Sequence, residues 1–322
     1  MLESLPSRKL FEKLKKIDEG MMFRKGQKTK SVDDLSAWIE DTIREFCLNS
    51  PDNNLRNGEN ERAFEEPLVG FSNGGDPLYR ELQKDIGTPF MTPIEIFEKS
   101  FPGVPARADE LTVISCILPQ IRRTRLDNRK ETTYPSERWI RSKHFGAEFA
   151  FKLCSYVAET LENAGYEAVV PALASSYSLG ISKRYGIASN WSERHAAYVS
   201  GLGTFGLCDG LITARGKAIV CYSVIARILI PPTPRPYTDH HAYCLFYARG
   251  MCGLCIKRCP AGAISDHGHD KERCKEHCFG VTLPYANSHF GINEYGCGLC
   301  QTGVPCESRN PVLHPSKGMI PI

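Results

Sequence analysis

Hydrophobic and polar positions follow two different periods along this chain. From Leu111 to Pro119 (LTVISCILP) a short apolar run ends at proline, the pattern of a buried strand. From Ser136 to Ala164 the period becomes helical. Phe145, Phe149, Leu153, Tyr156, Val157 and Leu161 recur on one face, Ser136 can cap the start and Gly165 the end. Glu167–Pro171 predicts a second strand and Ser192–Ser200 another helix. Leu211–Thr213 and Ala218–Ile230 are rich in strand formers, among them Val220, Val224, Ile225, Ile228 and Ile230. Strands alternating with helices predict an α/β core.

Before Leu111 the pattern is weaker. Ser31 and the two aspartates after it open a helix expected over Leu35 to Cys47, with Leu35, Ile39, Ile43 and Phe46 on its apolar face. The turn-rich stretch Asn49–Asn60 (NSPDNNLRNGEN) predicts a loop. Residues 1–110 are therefore expected to form a helical and loop extension packed on the main domain. The PPTPRP stretch from Pro231 to Pro236 breaks all periodicity and marks a boundary, separating a core at 111–236 from a module at 237–322. No unit of 20–50 residues repeats, which argues against a solenoid.

The bulk numbers narrow the class. A length of 322 residues suggests two domains at about 100–200 residues each, and 42% hydrophobic content is too high for a disordered chain. Lys+Arg 40 against Asp+Glu 37 gives a net charge of +3, too balanced to point to a nucleic-acid binder. The longest apolar run, Lys217–Pro231, is interrupted by Arg227 and predicts no membrane span. The opening MLESLPSRKLFEKLKK lacks an apolar export core and a twin-Arg pair, so a soluble cytoplasmic protein is expected.

Cysteine changes the picture. The chain has 14 Cys, and nine lie between Cys244 and Cys306. In an unexported chain such density favours metal ligands over disulfides. Cys252-x2-Cys255-x3-Cys259-Pro260 is the back half of a bacterial ferredoxin run, in which the Cys before Pro serves the other cluster. The usual first Cys would stand at Arg249; Cys244, five residues upstream, can replace it if the loop is longer. With Cys297-x2-Cys300-x5-Cys306 this gives one [4Fe–4S] set of Cys244, Cys252, Cys255 and Cys306. The second set takes Cys259, Cys274, Cys297 and Cys300, with exchange of Cys274 for Cys278 left open. Structural zinc also uses C-x2-C pairs, but zinc knuckles seldom interlace eight thiols with a C-x3-C-P ending. Cys47, Cys116, Cys154, Cys208 and Cys221 sit in apolar patterns and are expected in the core. His240-His241 and His267-x-His269 are expected on surface loops.

Ahead of this module, Ser200 leads into GLGTFG (Gly201–Gly206), followed by the LIT strand at Leu211–Thr213. Together with the ferredoxin tail, this resembles the shared core of epoxyqueuosine reductases and reductive dehalogenases. The opening strand Val113–Pro119 and the Glu272-Arg273-Cys274 segment resemble theirs too, so the likeness covers roughly 105–310. The resemblance implies an α+β, nitroreductase-like core holding a base-off cobalamin, followed by a two-[4Fe–4S] ferredoxin-like module. Electrons would arrive from a low-potential ferredoxin or flavodoxin, pass both clusters to the corrin, and reduce a small organic substrate such as an epoxide or halide. It implies that Gly201, Leu202, Gly203, Thr204 and Gly206 approach the corrin and that Glu193 helps position it. The acidic donor of epoxyqueuosine reductases is replaced here by Ile187, and their C-terminal helical repeats do not follow, so tRNA is not expected as a partner. Dehalogenases use a tyrosine beside a cation; the candidates here are Tyr177, Tyr185 and Tyr198, with Arg184, Arg194 or Lys217. The alternative expectation is an iron–sulfur electron carrier, or a corrinoid-reducing protein without an organic substrate of its own.

Overall fold

Strand β2 (Thr112–Pro119) is buried at all eight positions because it lies inside a sheet covered on both faces. The computed structural model describes residues 32–87 and 89–314. Four antiparallel strands lie in the order β1 (Leu68–Asn73), β2, β8 (Ile219–Ala226) and β3 (Ala168–Val169). Alternate residues of β2 serve opposite faces, as the two-residue period of a strand requires. Ile114, Cys116 and Leu118 join one apolar cluster, and Val113 and Ile117 join the other.

The first face is covered by α1 (Val32–Asn49) and α5 (Glu137–Asn163). Leu35, Ile39, Ile43 and Cys47 of α1 are buried there, at the predicted helical spacing. Ser31, the expected start signal of that helix, lies outside the described residues. In α5, Ser136 caps as predicted, its hydroxyl accepting from the Trp139 amide at 3.3 Å. Gly146 sits mid-helix because Phe64 crosses there: a Cβ would come within 2.6 Å of the ring.

The second face is covered by α2 (Pro77–Ile86), α3 (Pro93–Ser100) and α6 (Glu193–Val199), with Tyr79, Phe97, Trp191 and Ala197 in the cluster. Between β3 and α6 the chain makes a hairpin, β4 (Leu179–Ser182) with β5 (Gly186–Ser189). The pattern before Leu111 predicts no strand, yet β1 pairs with β2 along its whole length, Leu68 opposite Ile117. Only the pairing with β2 reveals it, because its mixture LVGFSN carries no clear period.

The cysteine-rich part is built from short pieces. They are α7 (Leu245–Arg249), α8 (Leu254–Lys257), a two-residue ladder of β9 (Ile264–Ser265) with β10 (Gly268–His269), α9 (Lys271–His277) and α10 (Leu283–Phe290). A π-helical turn, Cys278–Thr282, joins the last two. Among the described residues no helix is long and apolar enough to cross a membrane.

Candidate functional site

Cys252 adopts φ 95°, a left-handed conformation that non-glycine residues avoid, and Gly253 follows it at 97°. These two turns fold the chain so that Cys252 and Cys255 face one small cavity. Cys244, at the start of α7, and Cys306, from the far end of the module, line the same cavity with Lys217. The first thiol set expected from spacing is thus brought together in space, Cys244 included. No three His, Cys, Asp or Glu side chains among the described residues close on a single ion. The four cysteines instead line one small cavity together.

The second group is looser. Cys297 interacts electrostatically with Cys259 and Cys274, and Cys300 with Cys297. Cys274 and Cys278 hydrogen-bond each other, and Cys278 also faces Cys297 and Lys143. Both therefore point at the second set, and their four-residue spacing along α9 and its cap puts them on one side of the helix. His269, expected on a surface loop, is half-buried: its ring lies 3.1 Å from Asp209 and hydrogen-bonds Cys274, which lifts it to about 9 against the opposing effect of burial.

Cys47, Cys116 and Cys154 are buried in the apolar cluster beneath α5, as expected, and burial pushes the Cys47 thiol up to about 12. Cys208 departs from that expectation. It is buried, but beside Cys255 and Cys300, one thiol from each set, and Lys217 donates to its sulfur at 3.1 Å. The apolar Leu207-Cys208 pattern hid this, because only the hairpin of β6 (Gly203–Phe205) and β7 (Leu211–Thr213) turns residue 208 toward the module.

The glycine turn is explained by the chain's own packing. Gly201 has φ 77°, and a Cβ there would stand 2.7 Å from the Pro234 carbonyl oxygen. A Cβ at Gly203 would run into the Ile212 backbone across the β6–β7 hairpin, and one at Gly206 would stand 3.2 Å from the Ile212 side chain. Leu202 packs on the second-face cluster, and the buried Thr204 hydroxyl accepts from the Tyr243 amide at 2.9 Å. These contacts account for the glycines without a ligand, so the turn alone does not mark a corrin seat.

The tyrosines expected from the resemblance stand in three different surroundings. Tyr185 donates to Asp85 at 2.6 Å, and Arg184 pairs with the same carboxylate, so this tyrosine and cation do meet, on the exposed hairpin. Tyr198 is buried and stacked on Tyr237 at 5.4 Å. Tyr177 lies at the base of the hairpin, its hydroxyl bonded to Ser189 and within electrostatic reach of Glu193. Arg194 donates to the Asp209 carbonyl oxygen at 2.6 Å, and Lys217 faces sulfur rather than any of the three.

Glu193 opens α6 half-buried, with one carboxyl oxygen buried and unpaired among the described residues. Oε2 accepts from Ser223 at 2.5 Å, Ser223 accepts from Trp191 Nε1 at 2.9 Å, and Oε1 has no partner among the described residues. Burial pushes its carboxyl up to about 8, against the lowering effect of those hydrogen bonds. His195, two residues on, is driven down to about 3 by burial and Arg194, and stays neutral.

No protein-family model matches the chain, and no curated protein matches it either. Solved structures do match in trace. An epoxyqueuosine reductase bound to an epoxyqueuosine-modified tRNA-Tyr stem loop aligns over 91% of this chain and 70% of its own, at 16% identity and a TM-score of 0.48. Epoxyqueuosine reductase from Bacillus subtilis gives the same coverage, identity and TM-score. A reductive dehalogenase studied for B12-dependent dehalogenation aligns over 73% of this chain but 29% of its own, at 15% identity and a TM-score of 0.43. The matched structures are those of epoxyqueuosine reductases and a reductive dehalogenase.

Proposed function

We propose that the chain is an iron–sulfur oxidoreductase that passes electrons through two [4Fe–4S] clusters to reduce an organic substrate, with a base-off cobalamin as the group that receives them. The observation that carries the reading is the convergence of Cys244, Cys252, Cys255 and Cys306, up to 62 positions apart in sequence, on one cavity. Thiols so distant have no local reason to meet. Thiolates hold such clusters, and a two-cluster relay passes single electrons from a low-potential ferredoxin or flavodoxin. We assign Cys259, Cys274, Cys297 and Cys300 to the second cluster.

The corrin rests on the motif resemblance, and it would supply a low-potential cobalt centre for cleaving an epoxide, halide or related bond. This chain's own part would be to orient that group and to keep a proton at hand. Glu193 suits the role of proton holder. With its carboxyl raised to about 8, it keeps a proton at neutral pH, and the Ser223–Trp191 pair fixes its orientation. Tyr177, which senses that carboxyl, is the tyrosine placed to share this role, ahead of Tyr185 and Tyr198.

The deciding experiment is the iron, sulfide and cobalt content of protein purified anaerobically and reconstituted with iron, sulfide and cobalamin. About eight iron and one cobalt per chain, with a base-off Co(II) EPR signal, supports the full proposal. Eight iron without cobalt reduces it to electron transfer, and zinc in place of iron sinks it.

A further inference from the structure

Lysine is almost never fully buried unless it is paired. Lys217 is 2% exposed, and among the described residues its amine pairs with no carboxylate. Its amine donates to Cys208 Sγ at 3.1 Å, Cys208 in turn hydrogen-bonds Cys255 and Cys300, and Lys217 lines one cavity with Cys255 and Cys306. These sulfurs belong to both ligand sets, with Cys208 between them.

The position is built rather than incidental. The Lys217 amide donates to the Cys306 carbonyl at 2.8 Å, and the Ala218 amide to the Glu307 carbonyl at 3.0 Å. Gly216, at φ 80°, lies so close to the Glu307–Ser308 backbone that no side chain fits. The segment leading into core strand β8 and the ligand-bearing segment are thereby locked in register at the lysine. A Cβ built on Gly210 would stand 3.5 Å from the lysine stem, which closes the other side.

We propose that Lys217 is a positioning residue of the redox centre: a buried cation, lent by the core, that raises the reduction potential of the adjoining clusters, foremost the one held by Cys255 and Cys306. The proposal rests on the iron–sulfur reading. Its physics is simple. Each electron a cluster accepts adds negative charge in a poorly screened interior, and a fixed positive charge nearby favours the reduced state. Cys208 is then the spacer that keeps the ammonium a hydrogen bond away from Cys255 and Cys300, and is not itself a ligand.

Potentiometric titration of the reconstituted full chain, followed by EPR, tests this. Lys217→Met is expected to keep about eight iron and to shift a cluster midpoint to lower potential, and Lys217→Arg to return it toward the wild-type value. Cys208→Ala is expected to retain full iron. A midpoint unchanged in a fully loaded Lys217→Met protein overturns the proposal, and iron loss in Cys208→Ala overturns the spacer role. Should the Met variant fail to load, Lys217→Gln keeps a donor to Cys208 without the charge, and a wild-type midpoint there also overturns it. Failure of the underlying reading shows separately, as wild-type protein that binds no iron.

Discussion

The indole of Trp139 occupies the space that any side chain at residue 298 would need: a Cβ built on Gly298 collides with the Trp139 ring. Gly298 stands between Cys297 and Cys300 with φ 65°, and Trp139 lies in the first turn of α5. The second thiol set is therefore seated against the core helix through a contact only glycine permits. Gly298→Ala combines a left-handed strain with overpacking, a loss on the order of 2–5 kcal/mol. Iron content should fall by about half while the first cluster persists, as EPR of the reconstituted variant would reveal. A variant with full iron and unchanged unfolding temperature would show that the contact is dispensable.

Arg258 ties the module to the core in a similar way. Its guanidinium donates to the carbonyl oxygens of Leu299 and Thr302 within the module, at 3.2 and 3.0 Å. It also donates to those of Glu131 and Asn128 at the end of the helix Arg122–Lys130, at 2.8 and 3.1 Å. Arg258→Ala leaves several half-buried carbonyls without donors, a cost of roughly 2–4 kcal/mol in denaturant unfolding. Lysine lacks the planar fork, so Arg258→Lys should recover only part of that loss.

Glu193 predicts a pH dependence with a definite sign. Its carboxyl titrates near 8 in the folded chain and near 4.5 when unfolded. Between these values the folded state holds a proton that the unfolded state has released, so stability falls as pH rises, by up to about 1.4 kcal/mol per unit. Below 4.5 both states are protonated and the contribution is flat. Glu193→Gln removes the titration, and a plot of unfolding free energy against pH should lose that slope over the window. An unaltered slope would assign the dependence elsewhere. On the proposed function the same variant keeps its iron and loses turnover.

Cys274 and Cys278 give the clearest test of ligand choice. Both face Cys297, and His269 bonds only the first. Cys274→Ala is expected to lose one cluster, about four iron per chain, and Cys278→Ala to keep both. The reverse result would exchange the two ligands and leave the rest of the assignment standing. Cys244→Ala, by contrast, should cost the other cluster, since no other thiol takes the place vacant at Arg249.

Local chemistry made much of this chain legible from its residues. The helix Glu137–Asn163 shows its period, its serine start and its glycine stop because those signals act within a few residues. The strands Thr112–Pro119 and Ile219–Ala226 show as apolar runs because both of their faces are covered. The cysteine spacings, with a proline after Cys259, single out the thiols from which two sets are proposed. Tertiary structure alone decided what depends on distant partners. Leu68–Asn73 becomes a strand because Thr112–Pro119, far along the chain, offers it an edge. Cys244 joins Cys306, and Lys217 meets Cys208, because the β6–β7 hairpin and the Cys306–Glu307 backbone bring separate segments to one point. A buried lysine and two distant thiols on one cavity are both decided by what lies nearby in space, and that nearness has no period in sequence.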